Sequence, residues 1–578
     1  MEDTSSYPPI DPTNFDIIIV GTGLPESILA AAASAAGKTV LHLDPNPFYG
    51  SHFASVPLHE FTSFLQSQSS HHSPPPSATP GGGDHTTADL ASRPMYSEVE
   101  ISSHFAEPLE LSRKFNLDLA GPRVLFCADT AVDLILKSGA SQYMEFKSVD
   151  ASFLCGGEGN LLSVPDSRSA IFKDANLGLA EKNRLGRFFK LVEGHLKAAE
   201  SGDGESGDSS RRIPEEDLES PFVEFLNKMR LPPKTKSIIL YAIAMVDYDQ
   251  DKLEVCKDVL KTRDGINRLA LYHSSVGRFP NAPGALLYPI YGQGELPQAF
   301  CRRAAVKGCV YVLRMPVNAL LMDKDTGSYK GVELASGQEL FSLHLILGPS
   351  FVIPSPLVKS SSEFLQGTLK DFGPQGVGKK VARGICITNS SLKPDASTFL
   401  VVYPPKSLYP EQATSIRVLQ IGSSLAVCPS GMFVLYLSAL CNDAIEGKKS
   451  LHAAVNAMFS VPITGTPESS SSGESENAEV KPTLLWSALY IQEMATSSFG
   501  SITSTPMPDA NLNYSDLLDT TKELFHRMFP DEEFFPEAAF SEPDDGRLDQ
   551  SPNSDLVDAG GHNQSPAEES LDSQQQLD

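Results

Sequence analysis

The stretch 15–44, FDIIIVGTGLPESILAAAASAAGKTVLHLD, constrains the fold of this chain more than any other. An apolar strand, FDIIIV (15–20), runs into Gly21-Thr22-Gly23-Leu24-Pro25-Glu26. An alanine-rich helix follows, and a second strand, TVLHL (39–43), ends at Asp44. Strand, glycine turn, helix, strand and an acid about 20 residues on are the parts of a dinucleotide-binding βαβ unit. One letter departs from the G-x-G-x-x-G pattern: the third glycine is Glu26. That position favours no side chain, because helix and strand pack closely there. A carboxylate would also oppose the pyrophosphate that a helix N-terminus attracts. The reading is a flavoprotein-type fold whose loop (Gly21, Gly23, Glu26, Asp44) is vestigial. No cofactor is expected, FAD included. Asp44 would hold a ribose if a nucleotide were bound, and otherwise ends a strand.

Composition narrows the function classes. With 578 residues, 41% hydrophobic and 20% charged, the chain can bury a large core over more than one domain. The net charge of −26 disfavours nucleic acid. Residues 531–578 hold 14 Asp and Glu against one Arg, so their net −13 is half of the excess. Eight scattered cysteines form no C-x-x-C pair, which suits a reducing, cytosolic setting. The acidic start MEDTSSYPPIDP is no secretory signal, and no run of ~18 uncharged apolar residues predicts a membrane span. The histidines at 71, 72 and 85 lie in a tract that pre-arranges no metal site.

Patterning along the chain predicts an α/β (α+β) fold: a multi-sheet, FAD/NAD(P)-binding-like domain with a smaller all-helical domain inserted. The sheet domain covers 1–167 and 276–540, with the helical domain at 168–275. Residues 62–93 read as a flexible insertion and 464–479 as a flexible link. The acidic tail at 541–578 should be disordered. A second glycine turn, GQGELPQAFCRR (292–303), opens another helix, on which Glu295 and Arg302 (i, i+7) share a face. Such a pair is usually a solvated face and less often a binding surface. No nucleophile elbow, phosphate loop or zinc motif supplies a catalytic set.

Three separate strings then resemble one family. VGTGLPESILAAAASAAGKTVLHLDPNPFYG (20–50) looks like the opening of the Rab GDP dissociation inhibitors and Rab escort proteins, in which an acid also takes the last glycine position. YMEFKSVDASFLCGGEGNLLSVPDSRSAIF (143–172) and LYPIYGQGELPQAFCRRAAVKGCVYVLR (287–314) are similar to its later signatures. The insertion at 62–93 and the extension over 484–537 resemble the escort branch, the component A type of Rab geranylgeranyltransferase.

The resemblance implies a non-catalytic accessory that binds GDP-bound, unprenylated Rab GTPases. It would present them to the transferase α/β heterodimer, then carry the geranylgeranyl lipid on the Rab to a membrane in a transient contact. The family's Rab-binding platform falls on Tyr49, Glu295 and Arg302, with a further position at Val312. Its arginine before the loop falls on Arg278, where the segment RFPNAPGALLYP is about two residues longer. Phe188 and Phe189 fall on the helix facing the transferase, and core packing is the alternative for both. A recycling GDP dissociation inhibitor and an FAD-dependent oxidoreductase stay open as other functions.

Overall fold

The computed structural model describes residues 8–70, 78–79, 84–104, 112–165, 178–200, 212–352, 380–460, 481–495 and 502–536. All of them belong to one unit, Met1–Ala539. The predicted link at 464–479 and the acidic tail at 541–578 lie outside the described residues.

The first sheet starts from the glycine unit. Strand β1 (Asn14–Val20) is followed by helix α1 (Leu24–Ala35) and strand β2 (Val40–Asp44). Ile17 to Val20 are fully buried, as a parallel strand covered on both faces requires. β2 pairs parallel with β1 on one side and with β3 (Val310–Leu313) on the other. On the far side of β1 come β4 (Glu339–Leu347) and β5 (Ile502–Ser504), both parallel. Strands Tyr329–Leu334, Val317–Asp323 and His85–Asp89 continue the sheet antiparallel. The chain thus leaves β2 at Asp44 and returns to the neighbouring strand only after 265 residues, through helix α2 (Glu295–Val306).

The second sheet has eight strands in the order 161–163, 151–155, 399–403, 416–422, 433–441, 380–388, 484–493 and 96–103. Helix Ala444–Met458 packs on one face of it. The described residues between 178 and 275 form helices at 179–200, 215–219, 222–228, 233–237 and 262–275, the fourth continuing as a π-helix over 238–243. Their apolar faces share a core with the opposite face of the second sheet, where Phe188, Phe222 and Ile239 join Ile385, Tyr436 and Trp486 in one cluster.

Two local expectations differ from the structure. The segment 62–93, expected to be flexible, holds part of helix Leu58–Ser70 and the strand His85–Asp89 among its described residues. Phe64 and Leu65 are buried, and His85 pairs with Glu339, so apolar anchors outweigh the Ser- and Pro-rich composition around them. The other is at YMEF (143–146), which reads in the sequence as a short strand. A 3-10 turn ends at Tyr143, and the strand begins only at Phe146.

Candidate functional site

The carboxyl ends of β1, β2, β4 and β5 meet at the glycine turn, where an open α/β sheet ordinarily binds its ligand. Here the chain fills that crevice itself. Glu26, in the first turn of α1, is 1% exposed. Its Oε1 accepts a hydrogen bond from the Thr505 hydroxyl, and Thr505 N–H donates to Leu347 O at 3.1 Å. Its Oε2 lies where a β-carbon on Gly23 would stand, so that glycine now makes room for a carboxylate of the chain. Burial pushes the Glu26 carboxyl up to about 7, outweighing the hydrogen bond. The raised carboxyl weakens the predicted charge repulsion, and what Glu26 adds at the turn is bulk.

Asp44 is equally committed. The fully buried carboxylate accepts from Thr22 N–H (2.8 Å), Thr22 Oγ1 (2.6 Å), Ser51 Oγ (2.8 Å), Asn46 N–H (2.8 Å) and Asn46 Nδ2 (2.9 Å). Gly50 N–H donates in turn to Thr22 Oγ1 at 2.9 Å. These five donors take up the acceptor capacity of the carboxylate. What Asp44 does is pin the loop 45–54, and with it Tyr49, to the glycine turn.

The second glycine turn has the same construction. Asp118, buried, accepts from Gln293 N–H (3.0 Å), Ser55 Oγ (2.5 Å) and the Tyr288 hydroxyl. Burial raises its carboxyl to about 6 against those bonds. Gly294 N–H donates to Ser55 Oγ at 2.7 Å. A β-carbon on Gly292 (φ +107°) would stand 2.6 Å from Ser55 Oγ and 2.7 Å from Asp118 Oδ1. Ser51 lies in the loop 45–54 and Ser55 opens the strand Ser55–Pro57 that follows it, so this segment bridges both turns. Sequence reasoning missed Thr22, Ser51, Ser55 and Asp118. A signal existed for the last: an aspartate between leucines in NLDLAG, at a strand position that must be satisfied when buried.

The bridge sets out the predicted platform. Tyr49 is half-buried, its ring edge-on to Tyr311 with centroids 6.0 Å apart. Glu295, half-buried, opens α2, and Arg302 is exposed on the same helix. The Arg302 charge acts on both: burial raises the Tyr49 hydroxyl and the Glu295 carboxyl, and Arg302 lowers each. The guanidinium also lies over the Tyr143 ring at 6.0 Å. Val312 is half-buried on β3, in register with Leu43 and next to Tyr311. Tyr49, Glu295 and Arg302 are thus brought together around α2.

Arg278 has other partners. Its guanidinium donates to Cys127 O at 2.7 Å and to Asp133 at 2.9 Å, tying the chain to helix Thr130–Lys137. Phe188 is fully buried against Phe189 and Phe225, in line with core packing, the alternative left open for it. Phe189 is half-buried at the edge of the same cluster. Among the described residues, no group of His, Cys, Asp or Glu could hold a metal ion, and no helix is long and apolar enough to cross a membrane.

Fold and site together define a class: a nucleotide-fold protein with its crevice closed from within and a charged, aromatic-edged face beside it. Comparison with known proteins specifies which. The family model described as GDP dissociation inhibitor matches residues 11–81 and 80–461, and the chain belongs to that family. Rab escort protein 1 of Arabidopsis thaliana is 56% identical over 545 residues, covering 93% of this chain and 96% of its own. Rab proteins geranylgeranyltransferase component A 2 of Mus musculus is 26% identical, covering 91% and 97%. Among solved structures, a Rab GDI from Plasmodium falciparum aligns with a TM-score of 0.62 at 19% identity, over 90% of this chain and 99% of that one, which supports the fold.

Proposed function

We propose that this protein is an escort for Rab GTPases: it binds the unprenylated, GDP-bound GTPase and presents it to the geranylgeranyltransferase. The observation that carries the reading is the 56% identity to the Arabidopsis escort protein along nearly the whole of both chains. Similarity to component A proteins of animals favours the escort reading over simple recycling of prenylated Rabs.

The site supports a binding role. Tyr49, Glu295, Arg302 and Val312 form the GTPase platform, with a charged rim and an aromatic at hand, as interfaces favour. Arg278 serves it indirectly, by fixing the neighbouring helix. The crevice takes no dinucleotide and the chain supplies no catalytic residue, a reading supported by Glu26 above Gly23 and the saturated Asp44. Phe189 marks the face toward the transferase α/β heterodimer. The product's lipid is sheltered at the edge of the helical cluster, where Leu191, Leu196, Met229 and Met245 are partly buried. A C20 chain removed from water gains on the order of 10 kcal/mol, which makes a soluble carrier workable between cytosol and membrane.

Reconstitution tests this. Purified protein, unmodified GDP-bound Rab and the transferase heterodimer should yield prenylated Rab, and omitting the protein should abolish the product. Binding of prenylated Rab without any support of prenylation would replace the escort reading with a recycling inhibitor. A purified protein carrying stoichiometric flavin would overturn the binding-only account of the crevice.

A further inference from the structure

One exposed aromatic is held where its backbone is strained. Tyr291 is 56% exposed and adopts φ +73°, the left-handed region that glycine occupies at no cost. The fold imposes that conformation from both sides. Tyr291 N–H donates to Leu425 O at 2.9 Å, and its carbonyl accepts from Asn116 Nδ2. The next residue, Gly292, is also left-handed, and its neighbours leave no room for a β-carbon. Backbone geometry alone would therefore be served best by glycine at 291 too. Among the described residues, the Tyr291 ring stacks on no other ring and its hydroxyl has no hydrogen-bond partner. The side chain contributes little to the fold that would offset the strain.

The turn ends at Glu295, whose N–H donates to Gly292 O at 3.3 Å. Asp118 and Ser55 make the whole turn rigid, as described above. Tyr291 is thus a large aromatic on a backbone held in place, at the entrance to the helix that carries Glu295 and Arg302. Tyrosines beside charged groups are common anchors of protein interfaces, because a side chain with two torsions gives much contact area for little lost freedom. Strained residues concentrate at such sites.

We propose that Tyr291 is a contact residue for the GTPase, extending the platform beyond Glu295 and adding an exposed aromatic to a face that already carries the half-buried Tyr49. This rests on the escort reading. The ring would be covered by an apolar patch of the bound GTPase.

The test uses the full chain and unprenylated, GDP-bound Rab in a calorimetric titration, with melting temperature recorded for each variant. Tyr291→Gly removes the ring and relieves the strain. It should weaken binding about tenfold or more while the melting temperature stays level or rises. Tyr291→Phe should bind within threefold of wild type. Arg302→Ala is the control for the platform. A Tyr291→Gly protein that binds like wild type while Arg302→Ala loses tenfold would overturn the proposal and leave the function standing. Wild-type protein that fails to bind Rab at all would overturn both. A drop in melting temperature with Tyr291→Gly would assign the ring to folding and also overturn the proposal.

Discussion

The chain contains two glycine turns, each opening a helix with an acid in its first turn, and they have opposite fates. At Gly21-Thr22-Gly23 the acid is Glu26, sealed in the crevice and bonded to Thr505. At Gly292-Gln293-Gly294 the acid is Glu295, half-exposed and under the influence of Arg302. Both turns are pinned in the same way, by a buried aspartate and a serine: Asp44 with Ser51, Asp118 with Ser55. Glycine spacing therefore does not tell a ligand-binding turn from a structural one. The burial and partners of the nearby acid do. In this molecule both turns are buried, and the acid beside the second one reaches the surface where Glu26 does not.

The comparison can be broken most severely at the pins. Asp44→Ala would leave the Thr22 N–H with only Ser51 Oγ and strand the Thr22 and Ser51 hydroxyls and the Asn46 donors, the Thr22 groups fully buried and the others in part. Each buried donor left without a partner costs about 1–3 kcal/mol, so a large fall in denaturant midpoint is expected. It should be accompanied by weaker Rab binding, because the loop carrying Tyr49 is released. A variant with unchanged stability would show that the turn does not depend on this carboxylate.

The sealed acid should next reveal itself through pH. The folded Glu26 carboxyl, raised to about 7, lies above its ordinary 4.5, so the folded state holds the proton more tightly than the unfolded chain. Its contribution is fully present below about pH 4.5 and is lost as pH rises to about 7. Across that window it amounts to on the order of 3 kcal/mol. Glu26→Gln cannot titrate. The stability of wild type minus that of the variant, from denaturant titrations at several pH values, should therefore fall as pH rises. A flat difference would mean that Glu26 is charged at no cost and the crevice is wetter than its burial indicates.

Much of this was legible in the sequence, for identifiable reasons. The βαβ unit stood out because an apolar strand, two glycines and an alanine-rich helix are all local signals. Glu26 was readable as a defect because its position has a known steric demand. Tyr49, Glu295 and Arg302 could be named from the three family-like strings, though not their meeting around α2, which requires β2 and β3 to pair across 265 residues. Asp118 and the two serines escaped notice because their roles lie entirely in long-range hydrogen bonds. Phe188 and Phe189 are adjacent and identical, so no local pattern could say which one turns inward. The helix and strand among the described residues of 62–93 were hidden by the Ser, His and Pro content of the segment, since a few buried apolar residues decide the matter.

The central claim is that recognition sits on the face around α2, while the crevice serves only as scaffold. Calorimetric affinity of Arg302→Ala for unprenylated, GDP-bound Rab tests it most directly. Arg302 is exposed and not among the core contacts, so its loss should leave the melting temperature unchanged and weaken binding at least tenfold, about 1.4 kcal/mol. Wild-type affinity in Arg302→Ala would contradict the account.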